Sequence, residues 1–470
     1  MATLQRNKTF HPAHEPLQNG QDLQLDANKI HGPLPFLNPT RADCNHVPVK
    51  SGADPGMVPK GANEAGSTQP TPGDNDETSP EARYRWTSRN NRKGRHALVV
   101  NQAQATEASR ETAHPREILS GIRRMFTSFP VWDISYDVAC LNAFFALLPF
   151  TNPQTEFKGE VLYGGGITAF IVVRGANFTL TPVVVIGATV FEVGSVLLML
   201  EAVNANRTGC FGWAIERYYD GTFRGHGLEC CPERGIVRLV PHACGHHHHA
   251  NGRDLVGTGT ASTHTGNEAN AAAKPLPNGA SPSERSWTWW PSMQELRTHY
   301  IHDIGFIACS SLTFGTTVFW ISGFTSLPGV YNYLSPQVAL DGVYWVPQVI
   351  GGILFTFSGL LFTIETQRQW WKPAPHVLGW HVGEYRRIHK LLLHTIRRNF
   401  TDIMKGFWNT VGGIGFTLCP IFGFSASHWG LYQASCSTFW GSFSFLIGSA
   451  IQWYESLNKH PVEIEKPMTG

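Results

Sequence analysis

Four long stretches of this 470-residue chain contain no Asp, Glu, Lys, Arg or His. These stretches are residues 304–325, 343–364, 407–424 and 433–454. A run of about 20 residues without charge is typical of a helix that crosses a bilayer. The absence of charge also argues against a proton relay or a site for a charged substrate within these stretches. We therefore predict that all four span a membrane.

Other features are scarce, and each scarcity argues against a class of protein. Nine cysteines are scattered along the chain, which is not a disulfide framework. A net charge of +2 gives no whole-chain basicity for nucleic-acid binding. The N-terminus has no apolar segment behind a basic start, so we expect no cleaved signal peptide. Walker A, Gly-x-Ser-x-Gly, His-Glu-x-x-His and EF-hand patterns are missing, so we expect no enzymatic activity and no cofactor.

One motif occurs three times, at residues 186–202, 350–366 and 440–456, and the copies align without a gap. Each copy opens with Gly, continues with Phe and a pair of small residues, and closes with Glu. At about 100° per residue the Gly, the Phe, the first small residue and the Glu, at offsets 0, 4, 7 and 14, fall within roughly 80° of one another, so they share one helix face. The motif residues are Gly187, Phe191, Gly194, Ser195 and Glu201; Gly351, Phe355, Ser358, Gly359 and Glu365; and Gly441, Phe445, Gly448, Ser449 and Glu455.

Each motif copy is the second helix of a pair, so we predict three parallel hairpins related by an axis along the membrane normal. The spans of the first hairpin lie at 131–150 and 183–200, and the second hairpin begins with the span 304–325. Asp133 and Asp303 start the first helices of these hairpins, and we interpret them as helix caps, with ion binding as the alternative. The predicted fold class is an all-α polytopic membrane protein with six transmembrane helices. Its hairpins cover residues 131–202, 304–366 and 407–456.

The loop charges predict the orientation. Residues 203–303 carry nine Lys or Arg and residues 365–406 carry eight, whereas 326–342 and 425–432 carry none. Basic loops are cytoplasmic, so six spans place both termini in the cytoplasm. A separate seventh span at 161–173 would reverse every later loop, and this piece is too short to cross a bilayer. The predicted cytoplasmic segments are residues 203–303, 367–406 and the C-terminal tail 457–470.

Residues 1–127 are rich in Pro, Gly, Asn and Ser and show no sustained period, which predicts a disordered N-terminal tail. Its distal part is basic and is dense enough in charge to attract anionic lipid headgroups or acidic partners. The alternative is a simple positive-inside anchor for the first span. The basic residues are Arg83, Arg85, Arg89, Arg92, Lys93, Arg95, Arg116, Arg123 and Arg124.

The three motif glutamates stand at helix C-termini, where the helix dipole disfavours a carboxylate, so each should have a cation nearby. Basic residues follow closely, and we interpret the glutamates as interfacial salt-bridge residues that pair with Arg207, Arg368 and Lys459. The alternative is an acidic ring at the mouth of a central pathway. Glu192 is a separate intramembrane candidate, and Gln348, Asn409, Gln452 and serines are the candidate polar lining.

A His-rich stretch lies in the loop 203–303. Its thiol and imidazole groups suit zinc or copper, but their spacing matches no closed zinc pattern, so we predict a solvated polar tract rather than a metal site. The candidate ligands are His242, Cys244, His246, His247, His248 and His249.

The motif residues, together with Asn-Arg-Thr-Gly-Cys-Phe-Gly-Trp at 206–213, resemble uncharacterised integral membrane proteins of filamentous fungi. Those proteins are similar to the small YrhK-like membrane domain, a two-helix unit with Gly-Ser near the middle of its second helix. The resemblance covers 131–461 and implies membrane residence but no known activity. The chain departs from it at 172–185 and 384–406, which we interpret as translated introns; the second also fits a basic amphipathic helix on the inner leaflet.

Two functional hypotheses follow. The first is a transporter or channel built from three parallel hairpins with Gly-rich faces. The second is a non-transporting scaffold or sensor that acts through its tail and basic loops. The expected partners are the lipid bilayer, with anionic lipids at the basic loops, and no nucleic acid. A transporter predicts polar residues converging on a central cavity, whereas a scaffold predicts an apolar seam without one.

Overall fold

The computed structural model describes seventeen stretches of the chain: residues 5–11, 23–46, 83–94, 97–99, 115–147, 150–157, 160–164, 173–174, 181–205, 207–219, 287–325, 327–331, 333–334, 336–371, 400–425, 427–459 and 462–463. These residues are mostly helical. The helices are α1 (Ser88–Arg92), α2 (Pro115–Thr127), α3 (Ile134–Leu147), α4 (Thr181–Val203), α5 (Phe211–Tyr219), α6 (Met293–Thr298), α7 (Ile304–Thr325), α8 (Pro328–Tyr331), α9 (Gln337–Leu340), α10 (Val346–Glu365), α11 (Phe400–Gly423) and α12 (His428–Leu457).

Six of these helices form a closed ring. Along the chain α3 packs on α4, α4 on α7, α7 on α10, α10 on α11 and α11 on α12, and α12 then packs back on α3. The motif-bearing helices α4, α10 and α12 therefore alternate with α3, α7 and α11. Side chains that point inward from α4, α10 and α12 can meet only across the centre of this ring.

Three helical segments are long and apolar enough to cross a membrane, namely Ile186–Val203, Ile304–Thr325 and Gln337–Glu365. The predicted length and apolar character are confirmed for these three segments. The last segment includes α9, a π-helical turn at Asp341–Trp345 and α10.

The helix bounds depart from the predicted spans at several places, and two of these departures change an interpretation. Helix α3 has 14 residues, or about 21 Å, which is short of the roughly 30 Å of a hydrocarbon core. The predicted span 131–150 is shorter as a helix because strand β5 follows at Phe150–Phe157. Helix α11 begins at Phe400, seven residues before the predicted start, so the end of the segment interpreted as an intron is part of the helix.

Aspartate caps fix the starts of two ring helices. The Asp133 carboxylate accepts a hydrogen bond from the backbone N–H of Ser135 at 3.0 Å, and Asp303 accepts one from Phe306 at 2.8 Å. Both bonds satisfy N–H groups that a helix start leaves without partners. The capping interpretation of these two aspartates is confirmed.

Parts of the predicted N-terminal tail form a sheet. Its strands are β1 (Leu23–Leu25), β2 (Arg41–His46), β3 (Arg83–Thr87), β4 (Ala97–Val99) and β8 (Val462–Glu463), paired in the order β1-β2-β3-β4-β8. The last pair is parallel and the others are antiparallel. A second sheet contains β5, β6 (Glu160–Gly164) and β7 (Val173–Arg174). Strands this short leave little periodicity in a sequence, which is why the tail shows no pattern.

Candidate functional site

All fifteen motif residues are buried. Their helices are separated in the ring, so the shared face predicted for each copy points to the ring's interior. From the Phe position to the Glu position the motif advances ten residues, or about 15 Å along each helix. The interior is therefore divided into layers, with aromatic rings at one level, small and polar groups next, and carboxylates at the C-terminal ends.

The three motif phenylalanines meet at the centre. The ring centroids of Phe191 and Phe355 are 5.2 Å apart, those of Phe191 and Phe445 are 6.1 Å apart, and those of Phe355 and Phe445 are 6.3 Å apart. These separations are normal for edge-to-face aromatic contacts. Together the three rings form an apolar layer, hereafter the phenylalanine layer.

The small motif residues allow the helices to approach closely. A β-carbon at Gly359 would lie 2.5 Å from the backbone nitrogen of Thr410 on α11. The Ser358 hydroxyl donates a 2.7 Å hydrogen bond to the carbonyl of Ala308 on α7. Close backbone approach and hydroxyl bonds of this kind join helices in membranes, where lipid removes the hydrophobic drive for association.

A cavity of about 30 Å³ lies next to the phenylalanine layer, which is room for one or two water molecules. All three hairpins supply its walls. Its polar groups come from Asn142, Ser358, Asn409, Ser449 and Gln452, and its apolar groups include Phe362 and the three motif phenylalanines. Gln452 and Asn409 are thus where the sequence predicts a lining, whereas Gln348 is not among the lining residues and Asn142 was missed.

Two polar groups of this cavity lack a hydrogen-bond partner among the described residues, namely Asn142 Oδ1 and Gln452 Nε2. The Gln452 side chain is 3% exposed. Buried amides are normally bonded, because an unsatisfied group costs free energy. The cavity is therefore a place where a water molecule or polar solute would complete the bonding.

The carboxylates of the three motif glutamates lie at the end of the bundle and are almost fully buried, with 0 to 2% of each residue exposed. Helix α1 and its C-cap residue Lys93 lie over them and supply one cation to each. Arg89 Nη2 is 2.7 Å from Glu455 Oε2, Arg92 Nη2 is 2.8 Å from Glu365 Oε2, and Lys93 Nζ is 3.1 Å from Glu201 Oε1.

The Arg92–Glu365 pair has the most complete geometry. Both guanidinium nitrogens bond the carboxylate, at 2.9 and 2.8 Å, and the Ser88 hydroxyl adds a third bond at 2.7 Å. Gly305 makes room for this group, because a β-carbon there would lie 1.8 Å from Arg92 Nη1. The Arg92 guanidinium also stands 5.4 Å from the ring of Phe362, the aromatic side chain that lines the cavity.

The sequence of α1 explains how a five-residue helix reaches three separate carboxylates. Thr87 caps it by accepting a bond from the Asn90 N–H at 3.1 Å. Residues 88, 89, 92 and 93 then fall within about 140° of one another, so the three cations and Ser88 share one face. Gly94 follows with a φ of 64° and turns the chain away. We call residues 83–94 the basic segment and the three glutamates its seat.

Burial and charge act in opposite directions on the two best-defined cations. Burial alone would lower the pKa of Arg92, but the charge and hydrogen bonds of Glu365 outweigh it, so its pKa is raised. Burial lowers the pKa of Lys93 from 10.5, and Glu201 offsets only part of this. The pKa of nearby Asp303 is raised, first by burial and then by the charge of Glu365.

The predicted partners of two glutamates are wrong. Arg368 is exposed while Glu365 is buried, and Lys459 contacts Asp133 and the Thr208 hydroxyl rather than Glu455. The reason is that α10 ends at Glu365 and α12 at Leu457, so the helical spacing assumed for these pairs does not continue. Glu201 meets Lys93 and also accepts a bond from the Ser135 hydroxyl.

Other candidates have different outcomes. The Glu192 Oε1 atom accepts a 2.8 Å bond from the Thr317 hydroxyl on α7, whereas Glu192 Oε2 is buried without a hydrogen-bond partner among the described residues. The His-rich candidates at 242–249 lie outside the described residues. Within the described ranges, no group of three or more His, Cys, Asp or Glu side chains is arranged to hold a metal ion.

No family model, curated protein or solved structure matches the chain.

Proposed function

We propose that this chain is a six-span membrane protein of three YrhK-like hairpin repeats that passes a small solute or ion through the centre of its helix ring. The observation that carries this proposal is the polar cavity, to which all three hairpins contribute. Polar groups that converge inside a membrane bundle, with bonds unfilled, fit a pathway better than a packing seam.

The arrangement of the ends supports six spans with both termini on one side. The basic segment contacts the C-terminal ends of α4, α10 and α12, and β4 pairs with β8 just beyond α12. The starts of α3 and α7 lie at the same end, because Lys459 contacts Asp133 and Arg92 fills the space at Gly305. Basic loops leave this end, which makes it the cytoplasmic one under the positive-inside rule.

The test is flux into liposomes that contain the full chain, screened with small ions and neutral solutes. Gln452→Leu replaces an amide that lines the cavity with an apolar side chain. The equivalent positions in the other two motif copies already carry apolar residues, Leu198 and Phe362. We expect the flux to fall sharply in this variant. Gln348→Leu is the matched control, since Gln348 is also buried but does not line the cavity.

Flux that is the same in Gln452→Leu and wild type would contradict the central pathway. The pathway would also be refuted if neither the wild type nor the variants Arg89→Gln/Arg92→Gln/Lys93→Gln and Gly305→Ala, which are designed to open the cytoplasmic end, showed flux. In that case the scaffold or sensor hypothesis is favoured by one observation, the sheet that joins strands from the predicted tail to the C-terminal strand over the bundle.

A further inference from the structure

The basic segment matches its seat one to one. Helix α1 and its C-cap residue Lys93 carry three cations on one face, and each bonds a glutamate from a different motif helix. The partners are 108, 273 and 366 residues apart in the chain, so these contacts are tertiary and not a by-product of local structure. With the segment seated, the three carboxylates are neutralised and covered.

The seat opens toward the cavity. Arg92 lies over the Phe362 ring, whose side chain also lines the cavity, and Gln452 precedes Glu455 by one helical turn. The order along the ring's axis is therefore phenylalanine layer, polar cavity, carboxylates and basic segment. The segment closes the cytoplasmic end of this series, and the phenylalanine layer closes the other.

The contacts are of a kind that can be released. A buried ion pair adds little net stability, because the attraction mainly offsets the cost of removing both charges from water. When the whole segment leaves, the carboxylates and the cations regain water together, and neither is left buried alone. A short helix that is attached through a sheet meets this condition.

The uncovered seat would carry three negative charges at the mouth of the cavity. Rings of carboxylates attract cations and repel anions, and they select for cations in channels. From these observations we infer that the basic segment is a tethered blocker that occupies a cation-selective mouth formed by Glu201, Glu365 and Glu455. This inference rests on the proposed function, because it names the class of ion that passes and what controls its passage.

The first experiment measures K⁺ and Cl⁻ flux in liposomes for the full chain and for Arg89→Gln/Arg92→Gln/Lys93→Gln. We expect K⁺ flux to rise about tenfold, which requires a shift of only about 1.4 kcal/mol toward the open form, with no comparable rise for Cl⁻. The control removes three exposed or half-exposed cations elsewhere, Arg123→Gln/Arg124→Gln/Arg297→Gln, and should leave the flux unchanged.

A second variant keeps every charge. Gly305→Ala places a methyl group where the Arg92 guanidinium lies, so Arg92 must withdraw, and K⁺ flux should rise here too. Gly323→Ala is the control on the same helix, because among the described residues the added β-carbon meets only Ala188, at an ordinary 3.6 Å. This pair separates release of the blocker from misfolding caused by unpaired charges.

Labelling reports on the segment without flux. Ser88 is buried against Glu365, so in a Ser88→Cys chain a membrane-impermeant maleimide should modify position 88 slowly, and faster when Gly305→Ala is added. K⁺ flux that is equal in wild type and both opening variants, while still sensitive to Gln452→Leu, would overturn the blocker but leave the pathway. Faster labelling with no flux in any variant would refute the pathway and, with it, the blocker.

Discussion

The most direct test of the seat is a double-mutant cycle on Arg92 and Glu365. Arg92→Met leaves the carboxylate buried without its cation, and Glu365→Gln leaves a buried guanidinium without its anion. The structure gives this pair two charged bonds and side-chain exposures of 5% and 0%. Breaking such a pair from one side costs about 3–5 kcal/mol, because an uncompensated charge stays buried.

The double variant should cost less than the sum of the two singles, since it leaves no buried charge. We expect a coupling free energy of about 2–3 kcal/mol. The matched control is the pair Arg85–Asp43, which joins β3 to β2 at 2.9 Å but has side-chain exposures of 33% and 21%. Partly exposed pairs couple by about 0.2–1 kcal/mol.

The assay is unfolding in mixed micelles by titration with a denaturing detergent, followed by circular dichroism, for both cycles under one set of conditions. A coupling energy at Arg92–Glu365 no larger than at Arg85–Asp43 would show that the seat is hydrated and loosely held. The electrostatic reasoning behind the blocker would then be wrong, whatever the flux measurements gave.

Three further outcomes are expected in the same unfolding assay. Gly359→Ala should lower the free energy of unfolding by about 1–3 kcal/mol, because its β-carbon would lie 2.5 Å from the backbone nitrogen of Thr410. Gly329→Ala should be neutral within about 0.5 kcal/mol, because no atom of the described residues lies within 4 Å of the added β-carbon. Gly94→Ala should lower the free energy of unfolding by about 1–2 kcal/mol, because the φ of 64° at this position is unfavourable for a residue with a β-carbon. Gly94→Asn should lower it less, because Asn tolerates this conformation better, and an equal loss for both variants would contradict this cause. Burial lowers the pKa of Lys93 below 10.5, so between the folded-state pKa and 10.5 the unfolded chain binds a proton that the folded chain does not. The free energy of unfolding of the wild type should therefore rise with pH in this range, relative to that of Lys93→Arg. A difference between the two chains that does not change with pH would contradict this.

The sequence could predict the elements whose causes are local. Helix α7 has the predicted bounds because Asp303 caps its start and a long uncharged run follows. The shared face of the motif also follows from helical geometry, and its residues are buried in all three copies. The helix dipole correctly required a cation near each glutamate. The prediction went wrong in looking for that cation next in the chain.

Partners far apart in sequence were beyond such reasoning. Nothing local links Arg89 to Glu455, which is 366 residues away. The available clue was numerical, since Arg89, Arg92 and Lys93 offer three cations at helical spacing to three repeated glutamates. That clue had no weight while residues 1–127 were interpreted as a disordered tail. Asn142 was missed for the same reason, because only the closure of the ring brings α3 against α12 and places the amide in the cavity.

Helix α12 shows why, under the six-span proposal, a mean hydropathy finds fewer than six spans. It is 30 residues long, yet it is not among the three helical segments apolar enough to cross a membrane. Its outer face is apolar or aromatic, with Phe443 exposed, while its polar side chains are turned inward and buried. The buried polar residues include Ser435, Ser437, Thr438, Ser442, Ser444, Ser449 and Gln452. A mean hydropathy taken over both faces is lowered by these buried polar residues, although the outer face of the helix is apolar. The polar residues that lower the hydropathy of α12 include Ser449 and Gln452, which line the cavity, so under the six-span proposal this low hydropathy fits a membrane helix beside a pathway.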